Sequence, residues 1–365
     1  MAAAAALHKL GIHATVYERA PRLEEVGAGM MLWPNATRVL KELGLLDGLT
    51  ARSGRNTHFL VRASCGKVLM NIALGDFDVP ALCTHRSDLL ALLLSALPRD
   101  RVCLGREWTH LEQPRSRVRV HFSDGSVEEH DAVIGADGIR SRVRAQLFGI
   151  SDPVYRGYAV WRGVADYHGR AIRPGFNSET WGHGSRFGIL DVGQGRFTWY
   201  ATANVRKPAA PGRPASGLLR RFAGWHEPIP ALIESTGLIL ENGAYDLPSL
   251  PRWTSGRVTL LGDAAHPCTP NLGQGGCMAL EDALVLAKCI SAEIASSDSS
   301  IESALRLYES MRRRRTRHIQ RRSLLMGHIG QWENRAAVSG RRVVTSLLPA
   351  ALFEHNLRRV YAYET

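Results

Sequence analysis

Arg257-Val-Thr-Leu-Leu-Gly-Asp-Ala-Ala-His-Pro-Cys-Thr-Pro-Asn-Leu-Gly-Gln-Gly-Gly276 is the stretch of sequence that decides the fold. Its first five residues form a short apolar run that predicts a buried β-strand, which stops at Gly262. Asp263 is therefore expected at the carboxyl end of a strand, where open α/β sheets bind their ligands. A loop with two prolines and three glycines follows, and a helix is predicted from about Cys277. The free amides and the positive dipole end of that helix face the loop, which suits a ligand atom that becomes anionic.

Residues 262–282 closely resemble the second flavin-binding motif of the single-component, group A FAD-dependent monooxygenases, which have the para-hydroxybenzoate hydroxylase fold. The resemblance implies that Asp263 holds the ribitol of FAD and that residues 270–275 lie along the isoalloxazine ring. A plain strand-to-helix turn explains one glycine and one proline but not this ordered set. The cofactor-binding candidates here are Asp263, Pro270, Gly273, Gln274, Gly275 and Gly276, and His266 of the same loop is a catalytic candidate.

An acidic residue ends a predicted strand near the start of the chain. Residues 2–10 read as a helix and residues 12–17 as a strand that ends at Glu18-Arg19. In a dinucleotide-binding fold this carboxylate is the usual ribose ligand, and the glycine fingerprint lies about 20 residues earlier. That position falls before Met1, so we expect an N-terminally shortened chain without the first strand and its Gly-x-Gly-x-x-Gly turn. Glu18 and Arg19 are cofactor-binding candidates, and the alternative makes Glu18 an exposed strand-end carboxylate.

The middle motif, residues 131–144, strongly resembles the family segment that serves the FAD pyrophosphate and the path of the nicotinamide cofactor. Asp137-Gly138 lies at a predicted strand end, and both residues are cofactor-binding candidates. Ser141 is expected to cap the following helix, and Arg144 to add positive charge near a pyrophosphate. The alternative for Asp137-Gly138 is a common turn dipeptide.

Two shorter segments also resemble the family. Residues 27–36 match the extended piece that crosses near the flavin, and Asn35 plausibly caps the helix that follows. Residues 84–90 open another helix, and the family arginine at Arg86 contacts the FAD phosphates or lies close to them. The alternative for Arg86 is an ordinary surface arginine.

The spacing of apolar residues changes to that of short strands in residues 55–80 and 151–255, which predicts a separate, mostly antiparallel sheet. Aromatic and arginine side chains are frequent there, and such a surface suits a planar anionic or phenolic ligand. Arg196 and Tyr200 lie four positions apart on one predicted strand and share a face, so they are candidate catalytic residues that hold the substrate. The aromatic and polar residues of this region include Trp161, Arg162, Trp181, His183, Arg196, Trp199 and Tyr200.

The predicted fold class is α/β, with a Rossmann-like FAD-binding domain, an inserted mainly antiparallel β-sheet substrate domain and a C-terminal helical segment. The predicted boundaries are 1–54, 81–150 and 256–325 for the FAD-binding domain, 55–80 and 151–255 for the substrate domain, and 326–365 for the helical segment.

The composition is that of an ordinary globular protein, with 365 residues and a net charge of +12. Seven arginines lie in residues 311–322, and we interpret them as a solvated helix face and not as a nucleic-acid site, because interleaved aromatics are absent. The six cysteines show no metal-ligand spacing, which predicts no metal site. No run of 18 apolar residues or signal segment is present, which predicts a cytoplasmic protein without an integral membrane segment.

The resemblance implies a specific reaction. NAD(P)H reduces FAD, O2 adds at the flavin C4a carbon, and the hydroperoxide hydroxylates a small aromatic or similar electron-rich substrate. A monomer or a homodimer is expected. The alternatives are a flavin reductase, epoxidase or halogenase on the same fold, although the lysine usual in such halogenases is not found here. A basic or truncated protein that no longer binds FAD productively is the remaining alternative.

Overall fold

The computed structural model of the chain describes residues 1–23, 28–74, 77–167, 169, 171–206, 217–295, 300–361 and 363. The helices are α1 (Ala2–Lys9), α2 (Pro34–Leu43), α3 (Leu46–Thr50), α4 (Arg86–Ser95), α5 (Arg142–Phe148), α6 (Leu218–Arg221), α7 (Ile229–Glu234), α8 (Gly275–Ile294), α9 (Ile301–Gly330), α10 (Arg335–Leu347) and α11 (Ala350–Tyr361). The strands are β1 (Val16–Glu18), β2 (Gly29–Leu32), β3 (Gly54–Asn56), β4 (His58–Ala63), β5 (Val68–Ala73), β6 (Ala81–His85), β7 (Val102–Leu104), β8 (Trp108–Glu112), β9 (Val118–Phe122), β10 (Val127–His130), β11 (Val133–Gly135), β12 (Val154–Asp166), β13 (Phe176–Trp181), β14 (Ser185–Gly193), β15 (Arg196–Asn204), β16 (Leu240–Asp246), β17 (Thr254–Ser255) and β18 (Val258–Leu260).

Two pairs of short parallel strands build one half of the fold, and a gap separates them. β1 pairs with β7, and β11 pairs with β18. The second edges of β1 and β11 meet no strand of the described chain, and both strands line a cavity of about 1250 Å³. The strand predicted from residue 12 therefore begins only at Val16, because only the three residues of β7 offer it backbone partners.

The other half is a seven-stranded sheet in the order β16-β12-β15-β14-β13-β4-β5. Every neighbouring pair is antiparallel except β13 and β4, so the segments from 58–73 and 154–246 join one sheet, as predicted. One face of this sheet, with Trp161 and Trp199, packs on α6 and α7. The opposite face therefore points toward the parallel half. These features confirm the predicted α/β fold class with its inserted sheet, while the domain boundaries stay a prediction.

The C-terminal helices close the molecule over both halves. α9 packs along α8, and α11 contacts α2 and β5. The rings of Trp33 and Tyr361 stack with their centroids 4.2 Å apart, which fixes α11 beside the start of α2. None of the helices that the structure describes is long and apolar enough to cross a lipid bilayer.

A buried ion network joins α8 to α9. Arg312 is fully buried, with Nε 2.6 Å from Asp282 Oδ1 and Nη2 2.5 Å from Glu281 Oε2. Arg315 donates to both oxygens of Glu281, at 2.6 and 2.7 Å. The interpretation of residues 311–322 as a solvated face is therefore wrong for Arg312 and Arg315, because the apolar period of α9 also brings these two arginines onto the carboxylates of α8. Arg314 is exposed, as expected.

Asp282 links this network to the loop that follows β18. Its Oδ2 lies 2.5 Å from His266 Nε2 and accepts a hydrogen bond from the amide of Gly262 at 3.1 Å. Burial opposes ionisation of Asp282, but the charges and hydrogen bonds of His266 and Arg312 outweigh burial and lower its pKa to about 2. The network thus ties the two long helices to the loop that follows β18.

We expect Arg312→Met to lower the free energy of unfolding by about 3–5 kcal/mol, because it removes the buried guanidinium that both carboxylates contact. Denaturant unfolding at pH 7 measures this loss. The matched control is Arg314→Met on the exposed side of the same helix turn, which should change stability by less than about 0.5 kcal/mol. Equal effects of the two substitutions would contradict the network.

The network also predicts how stability responds to acid. The folded pKa of Asp282 lies below its ordinary value, so its contribution to stability is complete above about pH 5 and is lost as the pH falls toward 2. Arg312→Met removes a cation that lowers this pKa, so the loss should begin at a higher pH. Denaturant midpoints between pH 2.5 and 6 test this, and an unchanged pH profile in the variant would oppose it.

Candidate active site

The carboxylate of Asp263 follows the end of β18 and has no hydrogen-bond donor among the described residues. Gly262 turns the chain with φ +60°, and Asp263 follows in a short 3-10 turn. Burial raises the pKa of Asp263, while His266 and Arg86 act in the opposite direction. The residue nevertheless keeps an exposed surface, and no described residue donates a hydrogen bond to its side chain. A carboxylate that lies deep in the fold but open to a cleft is suited to accept hydrogen bonds from a ligand.

Residues 264–274, which we call the glycine loop, lead from Asp263 into the start of α8. Gly273 has φ +60°, and α8 begins at Gly275 without a side-chain cap, so its first amides remain free. Gly273 and Gly276 are exposed, although both lie close to other segments. A Cβ at Gly276 would lie 2.7 Å from Met30 Cε of β2, so the end of the Met30 side chain packs against this helix start.

The side chain of Asn35 binds that of Gln274. Asn35 Nδ2 donates to Gln274 Oε1 at 2.9 Å and to Glu281 Oε1 at 2.6 Å. The prediction that Asn35 caps its helix is wrong, because α2 already begins at Pro34 and no side chain caps it. The buried carboxamide instead fixes the glycine loop to the ion network of α8 and α9.

The inner face of the large sheet forms the opposite wall. Thr198 Oγ1 accepts a hydrogen bond from the amide of Gly29 at 3.0 Å, which joins β15 to β2. Tyr158 and Asn271 are hydrogen-bonded through their side chains, which joins β12 to the turn at Pro270–Leu272. The inner face of β12 therefore lies against the glycine loop, and that of β15 lies against β2.

Tyr200 and Arg196 lie on this inner face of β15 but have different surroundings. Burial raises the pKa of Tyr200 well above its usual value, and its hydrogen bond to Glu179 acts in the same direction. Arg196 is half-buried, and its Nη2 lies 3.6 Å from Asp88 Oδ2 of α4. The shared face that the sequence predicted is present, but the guanidinium of Arg196 already has a carboxylate partner.

His266 and Arg144 are tied to the protein itself. His266 is 1% exposed, and besides its contact with Asp282 its ring lies 5.2 Å from that of Trp253. Arg144 is buried and donates to the backbone oxygens of Ala264, at 2.9 Å, and of Ile139. Arg144 thus anchors the turn that carries Asp263, and its expected charge near a pyrophosphate stays a prediction. The catalytic role of His266 stays a prediction.

Four other predicted residues line the cavity between β1 and β11, namely Glu18, Arg19, Asp137 and Gly138. Glu18 accepts a hydrogen bond from the amide of Ala20 at 2.9 Å, and Arg19 is exposed. Asp137 accepts from the amides of Arg142 and Val143, so it caps the start of α5 together with Ser141, whose hydroxyl accepts from the amide of Arg144. Gly138 has φ +79°, which the turn requires.

Arg86 lies between the two groups of residues. It opens α4 after β6, is exposed, and its charge acts on both Asp263 and Arg162. The structure therefore brings Arg86 near Asp263, which itself lies beside Gly275, and their role in binding the cofactor stays a prediction. Sequence reasoning did not find Asn35 as the support of Gln274, nor Glu179 as the partner of Tyr200, because both contacts join segments that are far apart along the chain.

Comparisons with known proteins agree with this geometry. A family profile described as an FAD binding domain matches residues 1–161 and 248–323. The chain is 36% identical over 361 residues to the aurachin C monooxygenase/isomerase of Stigmatella aurantiaca, which covers 97% of this chain and 93% of that protein. It is 38% identical to the 3-amino-4-hydroxybenzoate 2-monooxygenase of Streptomyces cremeus, over 88% of this chain and 82% of that protein.

A solved structure is also similar over nearly the whole chain. The fold matches Klebsiella pneumoniae HpxO complexed with FAD and uric acid with a TM-score of 0.90 and 27% identity, over 99% of this chain and 93% of that chain.

We expect Asp263→Ala to weaken FAD binding about ten- to a hundred-fold while the fold is kept, because one charge-assisted hydrogen bond is worth about 1.5–3 kcal/mol. Titration of the apoprotein with FAD, followed by flavin fluorescence, measures the affinity. Asp47→Ala, on the short helix α3, is the control and should bind FAD as the parent does. Parental FAD affinity in Asp263→Ala would remove this carboxylate from the site.

Proposed function

The chain belongs to the group A FAD-dependent monooxygenases, and from this premise we propose that it uses NAD(P)H and O2 to hydroxylate a small aromatic substrate. The observation that carries the proposal is the free, accessible carboxylate of Asp263, which faces the uncapped start of α8. These are the two features that a flavin requires at its ribitol and at its pyrimidine edge.

The residues present fit an FAD along this cleft. Asp263 would accept hydrogen bonds from the ribitol, and the amides of Gly275 and Gly276 would stabilise negative charge on the pyrimidine edge of the ring. The exposed glycines leave room for a flat ring, since no Cβ projects there. Bound FAD supplies the electron transfer and the activation of O2, and the protein supplies binding, orientation and electrostatics.

The inner face of the large sheet is the proposed substrate wall. Tyr200 and Arg162 lie opposite each other on this face, and Thr198 joins it to β2. The raised pKa of Tyr200 keeps the phenol neutral, so that it can donate as well as accept a hydrogen bond. The close packing of β15 on β2 limits the entry of water, which an oxygen-transferring site needs.

The decisive experiment measures oxygen transfer. The protein, reconstituted with FAD, is expected to oxidise NAD(P)H faster when a suitable hydroxylated benzoate, pyridine or quinolone is present. One atom of ¹⁸O2 should appear in the product. Stimulated NAD(P)H oxidation that yields only hydrogen peroxide with every compound of such a panel would contradict hydroxylation, and an epoxide or a rearranged product would favour another oxidoreductase of this fold.

We further propose that stable FAD retention requires a strand in the gap between β1 and β11. Both strands expose backbone groups to the 1250 Å³ cavity, and Met1, Glu18 and Gly138 line the same space. Each buried backbone group without a partner costs about 1–3 kcal/mol, so several of them weaken a domain whose typical stability is about 5–15 kcal/mol. A parallel strand followed by a glycine turn would satisfy these groups and bring amides to a pyrophosphate.

Fusion of a short apolar β-strand and a Gly-x-Gly-x-x-Gly turn to Met1 should therefore raise both FAD retention and the melting temperature, the latter by at least about 4 °C. Differential scanning calorimetry and the flavin-to-protein absorbance ratio after gel filtration measure the two effects. A Gly/Ser extension of equal length is the control. Equal melting temperatures and equal flavin content in the two fusions would refute the requirement.

A further inference from the structure

Arg162 lies in the middle of the proposed substrate wall. It is opposite Tyr200 in the register of β12 and β15, and a continuous row crosses the sheet through Glu179, Gly188, Tyr200 and Arg162. The neighbouring Trp161 packs on the outer face of the sheet, so Arg162 projects to the inner face. Tyr158, four positions earlier on the same face, reaches Asn271 of the glycine loop.

The guanidinium of Arg162 lacks an acceptor. Arg162 is half-buried, and no described residue accepts a hydrogen bond or forms an ion pair with it. Burial lowers its pKa, and the charge of Arg86 acts in the same direction. An arginine remains charged in proteins, so the structure holds a cation whose desolvation is not offset by an anion.

The fully buried arginines of the chain differ from Arg162 in this respect. Each has acceptors at hydrogen-bond distance, either carboxylates or backbone and side-chain oxygens. These arginines are Arg144, Arg186, Arg312 and Arg341. Arg196 on the same sheet face is paired with Asp88. The protein therefore provides hydrogen-bond acceptors for these arginines, whereas Arg162 has none among the described residues.

The position of Gly188 explains why the ring of Tyr200 does not lie over Arg162. A Cβ at Gly188 would lie 2.1 Å from Tyr200 Cε1, so the ring of Tyr200 rests on the glycine and leans toward Glu179. Because Arg162 lies on the other side of Tyr200 in the row, the ring leans away from it. The ring of Tyr200 therefore does not cover Arg162.

We propose that Arg162 is the substrate anchor and binds an anionic oxygen, a carboxylate or a ring enolate, of a planar aromatic substrate. This inference rests on the proposed function and defines its substrate class. The ring of the substrate lies between the row and the glycine loop, and its anionic group faces the guanidinium. The charge-assisted hydrogen bonds select acids over neutral analogues of the same shape.

The test compares Arg162→Gln, Arg162→Lys and the parent holoenzyme with 3-amino-4-hydroxybenzoate, salicylate and a quinoline carboxylate, each beside its carboxamide. Flavin difference spectra give Kd for each compound, and NAD(P)H oxidation gives KM and kcat. The parent should bind at least one acid ten-fold or more tightly than its amide. Arg162→Gln should weaken that acid about ten- to a hundred-fold and leave the amide within about three-fold, whereas Arg162→Lys should retain part of the preference.

Arg119→Gln, an exposed position on β9, is the control and should match the parent. Binding that does not depend on charge in the parent, or a preference for the acid that survives in Arg162→Gln, would overturn the proposal. A loss of FAD affinity in Arg162→Gln with an unchanged preference would assign the residue to the cofactor and also overturn it. Charge-selective binding without oxygen transfer would contradict the proposed hydroxylation alone and leave the anchor supported.

Discussion

The buried ion network of Arg312 with Glu281 and Asp282 is the interaction on which the rest of the site depends. Asp282 reaches the start of the loop through Gly262 and His266, and Glu281 reaches its end through Asn35 and Gln274. One pair of adjacent carboxylates therefore fixes both ends of the glycine loop. Because buried charges are costly without their partners, the loop has few alternative positions, and its exposed amides are held in place before a ligand arrives.

Polar side chains that already have partners within the protein support the site, whereas those without partners can bind a ligand. Arg144, Asp137 and His266 carry charge or hydrogen-bonding capacity, but each is already bonded to neighbouring parts of the chain. Asp263 is exposed and Arg162 is half-buried, and neither has a hydrogen-bond partner among the residues described. Asp263 can therefore accept hydrogen bonds from a ligand, and Arg162 can bind an anion. This arrangement suits a bound flavin on one side and an acidic aromatic ring on the other.

The two halves of the molecule differ in how completely they are paired. The seven-stranded sheet is continuous, and its outer face is covered by α6 and α7. The parallel half consists of two pairs with a cavity between their free edges. The segments around Asp263 are therefore well packed, whereas Glu18 and Gly138 border open space. In the proposed binding mode FAD would extend along both regions, so its binding would couple them.

The sequence by itself determined the fold class and most of the cofactor loop. A strand that ends in Gly262-Asp263 and an ordered set of glycines before α8 are local patterns, and local patterns constrain backbone conformation directly. The tertiary structure decided which charged side chains are paired within the protein and which remain free to bind a ligand. Arg312 and Arg314 are two positions apart in one arginine-rich helix, yet one is buried against two carboxylates and the other is exposed. The sequence pointed to Arg196 as the substrate contact and not to Arg162, and only the position of Asp88 and the lean of Tyr200 over Gly188 distinguish the two. Such differences depend on partners from distant segments, which spacing along one chain does not specify.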